Sequence, residues 1–442
     1  MTFAGTELCE IILEDSASGV QIFLAQNGGQ PDGIFHSFQN GAAVVYQPFC
    51  DDFGPMNISC TIRFIQQLEE SLSECALFSC RRLVYSVDTG RRSLSNAAAL
   101  LGSYLILMKD MTPDQVANRF AAIGPERFED FRDATNMPPD FGLTLRDVWD
   151  GLYRGKQCAW IDRPSHDDCP FWGQIDIDEY ENYDSPTNGD LHEIVPGKLV
   201  AFRGPHDLGG AMFADDTANW TRKFSPAFYV ETFEQLGVTD VVRLNSADYD
   251  ARGFEEAGIR HHDLVFEDCT EPPGPLVAAF LAIVDAARGA VAVHCKAGLG
   301  RTGTLIAVQL MRAHGFTARA AMGWPRLMRP GSVIGEQQRF LCAVQRIREA
   351  RAAAGRGTLP SGRSQSSPDL RGLAARHDAA PAAAELRRVA GGRASPSAAA
   401  AAGGAAAEAA ARERAARVAA EQVAEAVDRR GAARMRAGRT PW

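Results

Sequence analysis

His294-Cys295-Lys296-Ala297-Gly298-Leu299-Gly300-Arg301-Thr302-Gly303 puts a thiol, an arginine and three glycines within one short stretch of chain. Those residue types at that spacing suit a cysteine nucleophile set beside a bound oxyanion. Val291-Ala292-Val293 ahead of it reads as a buried parallel strand, and Leu305, Ile306, Val308, Leu310 and Met311 behind it recur at helical spacing until His314-Gly315. A strand, a glycine-rich turn and a helix N-terminus aim successive backbone N–H groups at one spot, where unpaired amides and the helix dipole favour an anion. Cys295 is expected to be held there as a thiolate. Arg301 is expected to grip two phosphate oxygens with its planar fork. Lys296, Ala297, Gly298, Leu299, Gly300 and Arg301 thus form the candidate phosphate-binding loop. The bare spacing is weak evidence, because Cys75…Arg81 and Cys342…Arg348 repeat it. Neither of those intervals holds a glycine, and the second lies in a helical pattern (Phe340, Leu341, Val344, Ile347) that leaves no amides free.

A cysteine phosphatase must protonate the leaving alkoxide, so a general acid is required. Asp268 is the candidate: it opens a loop between the strand-like Asp263–Phe266 and the helix before the cysteine strand. Glu271 is the competing loop acid, and Asp263 reads as the structural end of the strand. A water must then attack the cysteinyl-phosphate, and Gln337, with Gln338 as its fallback, is placed to orient it from the loop after Gly331-Ser332-Val333. Thr302 can donate to the departing thiolate, while His294 reads as a residue that shapes the loop. No metal site and no cofactor are expected, since the histidines lack ligand spacing with cysteines or carboxylates.

These groups need elements to hold them. The chain has 442 residues and 45% hydrophobic content, enough for two α/β domains with residues to spare. The expected division is 1–175, a domain without a nucleophile; 176–190, an acidic linker; 191–352, the catalytic domain; and 353–442, a disordered Ala/Arg-rich tail. In the first domain Ala43–Tyr46 and Leu83–Ser86 read as strands, and Ile62–Leu72 and Asn96–Met108 as helices. In the second, Leu199–Phe202 and Asp240–Leu244 read as strands, Pro226–Leu236 and Pro275–Ala287 as helices. Such alternation implies a mostly parallel sheet flanked by helices in each domain. Leu83–Ser86, a turn with Gly90, Arg91 and Arg92, and the helix from Asn96 repeat the strand–turn–helix order of the cysteine loop without its cysteine. In the tail, 405–427 has high helix propensity and is expected as a solvent-exposed or transient helix.

The net charge of −9 hides an asymmetry: residues 355–442 hold 15 Arg and no Lys against 8 acidic residues, so the rest of the chain carries more than the whole negative charge. A body that acidic disfavours nucleic acid and suits basic partners. No run reads as a secretory signal or a membrane span, and the ten cysteines form no CxxC pair, so reduced thiols in a cytoplasmic or nuclear protein are expected.

With those residues in place, the chain closely resembles the cell-division-cycle-fourteen type of dual-specificity protein phosphatase. The resemblance spans roughly residues 35–350 and rests on HCKAGLGRTGTLIA at 294–307, RPGSVIG at 329–335, DEYENY at 178–183, NGDL at 188–191, HHDL at 261–264 and DFGP at 52–55. It implies two tandem domains of the phosphatase fold, the first without a nucleophile, acting on phosphoserine and also on phosphothreonine and phosphotyrosine. It further implies Ser-Pro sites followed by basic residues, and reversal of cyclin-dependent-kinase phosphorylation in mitotic exit and cytokinesis. Glu181, Asp184 and Asp190 stand where that family has an acidic substrate groove. The family's locations, in cytoplasm and nucleus with nucleolus, centrosome, spindle or basal body, are carried over as expectations. Two positions depart from the family pattern: Cys269 replaces a usual glycine after the acid, and Pro325 falls inside an expected helix over 317–328, where it should kink the helix. A phosphoinositide phosphatase is the rival reading, against which Leu299 stands where those enzymes tend to carry a second lysine. A silent phosphoprotein-binding module is the other, against which Cys295, Arg301 and Asp268 are all intact. Ser367-Pro368 and Ser395-Pro396 mark the tail as a possible target of a proline-directed kinase, able to visit the acidic groove.

Overall fold

Apolar runs too short for helices become parallel strands here, and helices with one apolar face cover them. The computed structural model of the protein describes residues 7–166, 169–217, 221–356, 409–411 and 413–428. In the first domain β1 (Leu8–Glu14), β2 (Gln21–Gln26), β3 (His36–Phe38) and β4 (Arg82–Val87) form one sheet in the order β1-β2-β4-β3. Only the β1–β2 pair is antiparallel. Around it stand α1 (Ile58–Leu77), α2 (Arg91–Met108), α3 (Pro113–Phe120) and α4 (Leu145–Gln157). A small hairpin, β5 (Phe171–Trp172) and β6 (Ile175–Asp176), leads into α5 (Ile177–Asp184).

The second domain has five strands: β7 (Leu191–Val195) and β8 (Leu199–Phe202), then, beyond the separate hairpin β9 (Phe213–Asp216) and β10 (Thr221–Phe224), β11 (Val238–Arg243), β12 (Arg260–Asp263) and β13 (Ala290–His294). Their order is β12-β11-β13-β8-β7, parallel except for β7 against β8. Its helices are α6 (Pro226–Gln235), α7 (Arg252–Glu255), α8 (Gly274–Ala286), α9 (Gly300–Ala313), α10 (Ala320–Met328) and α11 (Glu336–Arg356). The expected α/β architecture of two mostly parallel sheets is what the chain forms.

Three details differ from the sequence reading. Ala43–Tyr46 is not a strand; Val44 is buried and Val45 is exposed, but no neighbouring strand offers it a ladder. The expected helix over 317–328 begins only at Ala320, and α10 contains Pro325 before Arg329 turns extended. In the tail, the helix over 413–428 is neither solvent-exposed along its length nor solitary. It buries Ala420, Val423, Ala424 and Val427, an i, i+3, i+4, i+7 stripe, and Asp428 pairs with Arg348 of α11 at 2.9 Å. The tail's other expected features, Ser367 and Ser395 among them, lie outside the described residues.

The acidic linker is an ordered clasp between the domains. Asp176 caps α5 by accepting from the amides of Asp178 and Glu179. Tyr180 donates to the carbonyl of Met328 in the second domain at 2.8 Å. Nearby α4 meets α10 at bare backbone: a Cβ on Gly151 would stand 2.6 Å from the Trp324 nitrogen. One buried apolar cluster runs through both domains, from Leu8 to Val344, and takes in Ala420, Val423, Ala424 and Val427 of the tail helix.

Candidate active site

β13 delivers Cys295 at the carboxyl end of a fully buried strand, and Cys295 itself is only 4% exposed. No side chain caps α9, so its first amides are left for a ligand. The loop's carbonyls are all turned away from that spot. Those of residues 295 to 299 accept, in order, from His294 Nδ1 at 2.9 Å, the Gly204 amide at 3.1 Å, Arg329 Nη2 at 2.9 Å, Arg329 Nε at 3.0 Å and the Val333 amide at 3.3 Å. In a trans peptide a carbonyl held outward turns the next N–H inward, which gives the ring of amides that the glycine spacing implied. Gly298, at φ +70°, can carry no side chain, because a Cβ would lie 2.1 Å from the Phe202 carbonyl oxygen.

Arg301 is buried and anchored: Nη1 donates to the carbonyls of Phe266 at 2.9 Å and Leu244 at 3.3 Å. Its Nε lies 3.1 Å from Asp268 Oδ1, an ion pair by distance whose angle makes no hydrogen bond. The structure therefore brings the expected acid onto the expected phosphate ligand, with Asp268 still 61% exposed. Cys269 beside it takes φ +58°, the left-handed region where glycine is at ease, and its amide donates to Asp268 Oδ1 at 3.1 Å.

Gln337 closes the other side. It is fully buried, its Nε2 donates to the Thr270 carbonyl at 3.1 Å, and its Oε1 has no partner. That free oxygen faces the loop, 3.1 Å from where a Cβ on Gly300 would be. Gln338 has partners at both amide atoms: Arg326 Nη2 donates to its Oε1 at 2.7 Å, and its Nε2 donates to the Gly335 carbonyl at 3.3 Å. Thr302 Oγ1 is likewise buried without a partner. Val333 holds φ +65° while fully buried, an unfavourable state for a β-branched residue, kept by its amide's bond to Leu299 and by Arg326 at its carbonyl. Lys296 and Ala297 are exposed at the loop's rim and Leu299 is buried beneath it.

His294 shapes the loop, as expected. Burial pushes its imidazole down to about 3, so it is neutral. Nδ1–H donates to the Cys295 carbonyl, and Nε2 accepts from Tyr249, 2.7 Å away. Tyr249 in turn lies 2.9 Å from His261 Nε2, and burial lowers His261 to about 4.

The three acidic groove candidates are brought to the seam between the domains, and each already has partners there. Glu181 accepts from Arg63 at 2.9 and 2.8 Å and from Ser59 at 2.5 Å. The Arg63 bond holds its carboxyl below the usual range despite partial burial. Asp184 lies 2.8 Å from His192 Nε2 and accepts from Asn57 at 3.2 Å. Asp190 pairs with Arg329 at 2.7 Å. Their side chains remain 37%, 38% and 25% exposed. The sequence reading missed Arg329, Tyr249, His192 and Asp133, whose Oδ2 accepts from the Gly335 amide at 2.7 Å. For Arg329 the signal lay within the RPGSVIG motif; the others carried none. Among the described residues no cluster of three or more His, Cys, Asp or Glu could hold a metal, and no helix is long and apolar enough to cross a membrane.

Residues 22–155 match a family model described as the N-terminal half of dual-specificity protein phosphatases. Residues 229–362 match the phosphatase domain of the "Swiss Army Knife protein, DSP-PTPase" family. The chain is 36% identical over 310 residues to dual specificity protein phosphatase CDC14C of Homo sapiens, covering 70% of this chain and 66% of that one. It is 36% identical over 303 residues to tyrosine-protein phosphatase CDC14 of Saccharomyces cerevisiae, covering 68% and 52%. The chain thus spans less than two thirds of the length of these relatives. The crystal structure of Tk-PTP in the active form is similar at a TM-score of 0.28 and 21% identity, covering 34% of this chain and 92% of that one.

Proposed function

The chain belongs to the dual-specificity protein phosphatases of the CDC14 type, and on that premise we propose that it hydrolyses phosphoserine, and also phosphothreonine and phosphotyrosine, through a cysteinyl-phosphate. The observation that carries the reading is the meeting of buried Cys295, an outward-pinned loop and an Arg301–Asp268 pair at one uncapped helix end. The substrate phosphate takes the loop amides and the free edge of Arg301, which releases the Asp268 carboxylate toward the leaving oxygen, where it takes up a proton from solvent. The Cys295 sulfur attacks phosphorus, the serine oxygen departs, and Asp268 gives it a proton. A water held by the free Oε1 of Gln337 then attacks the cysteinyl-phosphate and passes its proton to Asp268. The sulfur leaves as a thiolate, met by the Thr302 hydroxyl.

We assign preference for Ser-Pro sites with downstream Lys or Arg. Support comes from the part-exposed Glu181, Asp184 and Asp190 together with Asp178, whose side chain is 76% exposed. Carboxylates with internal partners still contribute to the field a basic peptide meets, and that attraction should fade with salt. Leu299, buried within the loop, provides no second cation for a polyphosphorylated lipid headgroup. Turnover of phosphoserine-proline peptides with and without downstream lysines, beside a phosphoinositide, tests the reading. The expected order is the basic peptide, the neutral peptide, then the lipid; preference for the lipid would overturn it. Reversal of cyclin-dependent-kinase phosphorylation at mitotic exit and cytokinesis, and residence in cytoplasm and nucleus, are proposed from the family. Loss of the gene should leave Ser-Pro phosphorylation high late in division, and the tagged protein should be seen in both compartments.

A further inference from the structure

Arg329 is a buried cation, 2% exposed, with all three side-chain nitrogens engaged. Nε and Nη2 hold the Gly298 and Ala297 carbonyls at 3.0 and 2.9 Å, which faces the amides of Leu299 and Gly298 toward the anion spot. Nη1 reaches the Asp190 carbonyl at 3.0 Å, the Asp190 carboxylate at 2.7 Å and His192 Nδ1 at 2.9 Å. His192 must therefore offer Nδ1 as an acceptor and carry its proton on Nε2, which donates to Asp184 Oδ1 at 2.8 Å. Burial, reinforced by the Arg329 charge, keeps that imidazole below its ordinary value and so neutral, as this pattern needs. The other Asp184 oxygen accepts from Asn57, the residue that caps α1 in the first domain.

We propose that Arg329 is a positioning residue for the phosphate-binding loop, turning two of its amides onto the substrate phosphate, and that the nucleophile-lacking domain steadies Arg329 through Asn57, Asp184 and His192. The idea rests on the phosphatase reading above and adds to it a task for the first domain. A lysine at 329 would keep the charge but could not bond two adjacent carbonyls at fixed angles. Arg329 touches no substrate itself; its effect passes through the loop.

The test uses the full chain and a readout that needs no turnover: protection of Cys295 from iodoacetamide by inorganic phosphate. Arg329→Lys should weaken that protection about tenfold and lower kcat on an aryl phosphate by a similar factor, the loss of one or two charge-assisted hydrogen bonds. His192→Leu, which leaves Nη1 one acceptor short, should weaken protection about threefold, and His192→Gln, whose Oε1 can accept, should restore most of it. Thermal midpoints are measured alongside. Unchanged phosphate protection in both Arg329→Lys and His192→Leu, whatever happens to the midpoints, would overturn the proposal. If the lysine variant does not fold, equal protection in the Leu and Gln variants and the parent would do so. A parent protein that phosphate does not protect at all would instead refute the underlying phosphatase reading.

Discussion

In the first domain β4 enters α2 through Asp88, Thr89 and Gly90, while in the second β13 enters α9 through Cys295, Lys296, Ala297, Gly298 and Leu299. Both turns end at a helix that no side chain caps. The shorter one is occupied from within: Gln26 Nε2 donates to the carbonyls of Asp88 at 2.6 Å and Gly90 at 2.8 Å. Its arginines are spent as well. Arg92 pairs with Asp51 and Glu129, each at 2.9 Å, and Arg91 bonds the Phe128 carbonyl. At the cysteine turn the carboxylate paired with Arg301 belongs to Asp268, whose side chain is 61% exposed. The fold thus supplies a helix end twice, and the second adds a longer turn, a thiol, carbonyls pinned outward and a cation whose paired carboxylate is exposed.

The sharpest attempt to break this contrast moves the thiol. Cys295→Ser should lower phosphate release by about four orders of magnitude or more while phosphopeptide still binds, as measured by calorimetry. Adding Asp88→Cys to that variant places a thiol at the matching point of the first domain and should recover nothing. Any measurable turnover by the double variant would show that the short turn is competent after all. Next in size is Asp268→Asn. It should cost about 10²–10³ in kcat on a phosphoserine peptide and far less on an aryl phosphate, whose leaving group needs little proton assistance. Equal losses on both substrates would move the acid elsewhere, to Glu271 first.

How much of this was legible beforehand follows the length over which each feature is encoded. The cysteine loop, its strand and helix, and Asp268 are local, so spacing revealed them. Gln337 could be narrowed to two neighbours, and the fold then shows Arg326 on the Gln338 Oε1 and no partner on that of Gln337. Arg329 acts across 31 positions on Gly298 and 137 on His192, a relation that no periodicity records. Glu181 and Asp184 lie at the seam between the domains, but Arg63, Ser59 and Asn57, more than 100 positions upstream, were invisible as their partners. β1, β2 and β3 went unnoticed because their side chains alternate weakly or the strands are short. The docking of the helix over 413–428 was missed because its stripe is alanine and valine, too small to stand out in an alanine-rich run.

His294 offers a contrast in stability, since the first domain has Val87 at the matching strand end. The folded protein holds this imidazole neutral down to about 3, whereas an unfolded chain protonates it near its ordinary value of 6.5. The unfolded state thus binds the extra proton, so this contribution is present above pH 6.5 and is lost as pH falls toward 3. At pH 5 the loss amounts to about 2 kcal/mol relative to pH 7.5. Urea midpoints at the two pH values, for the parent and for His294→Asn, isolate it. The variant should show a flatter pH dependence, whatever its absolute stability. Parallel pH dependences would mean that the folded state accepts the proton and that the Tyr249–His294–Cys295 chain of bonds is not fixed as described.

The smallest expected effect separates the two chemical steps. Gln337 is held between the domains' contributions: Asp133 of the first domain fixes the Gly335 amide just ahead of α11, and the Thr270 carbonyl takes the Gln337 amide protons. Gln337→Leu should leave phosphorylation of Cys295 intact and slow hydrolysis of the intermediate about tenfold, the worth of one hydrogen bond to water in a buried site. Rapid quenching should then show a burst of released alcohol, equal to the enzyme concentration, before the slow steady state. An Asp133→Ala variant, which frees the loop but keeps the glutamine, should show a fainter version of the same burst. Slower turnover without any burst would place Gln337 in the first step, as a support for the Asp268 loop, and would take the first domain out of water positioning altogether.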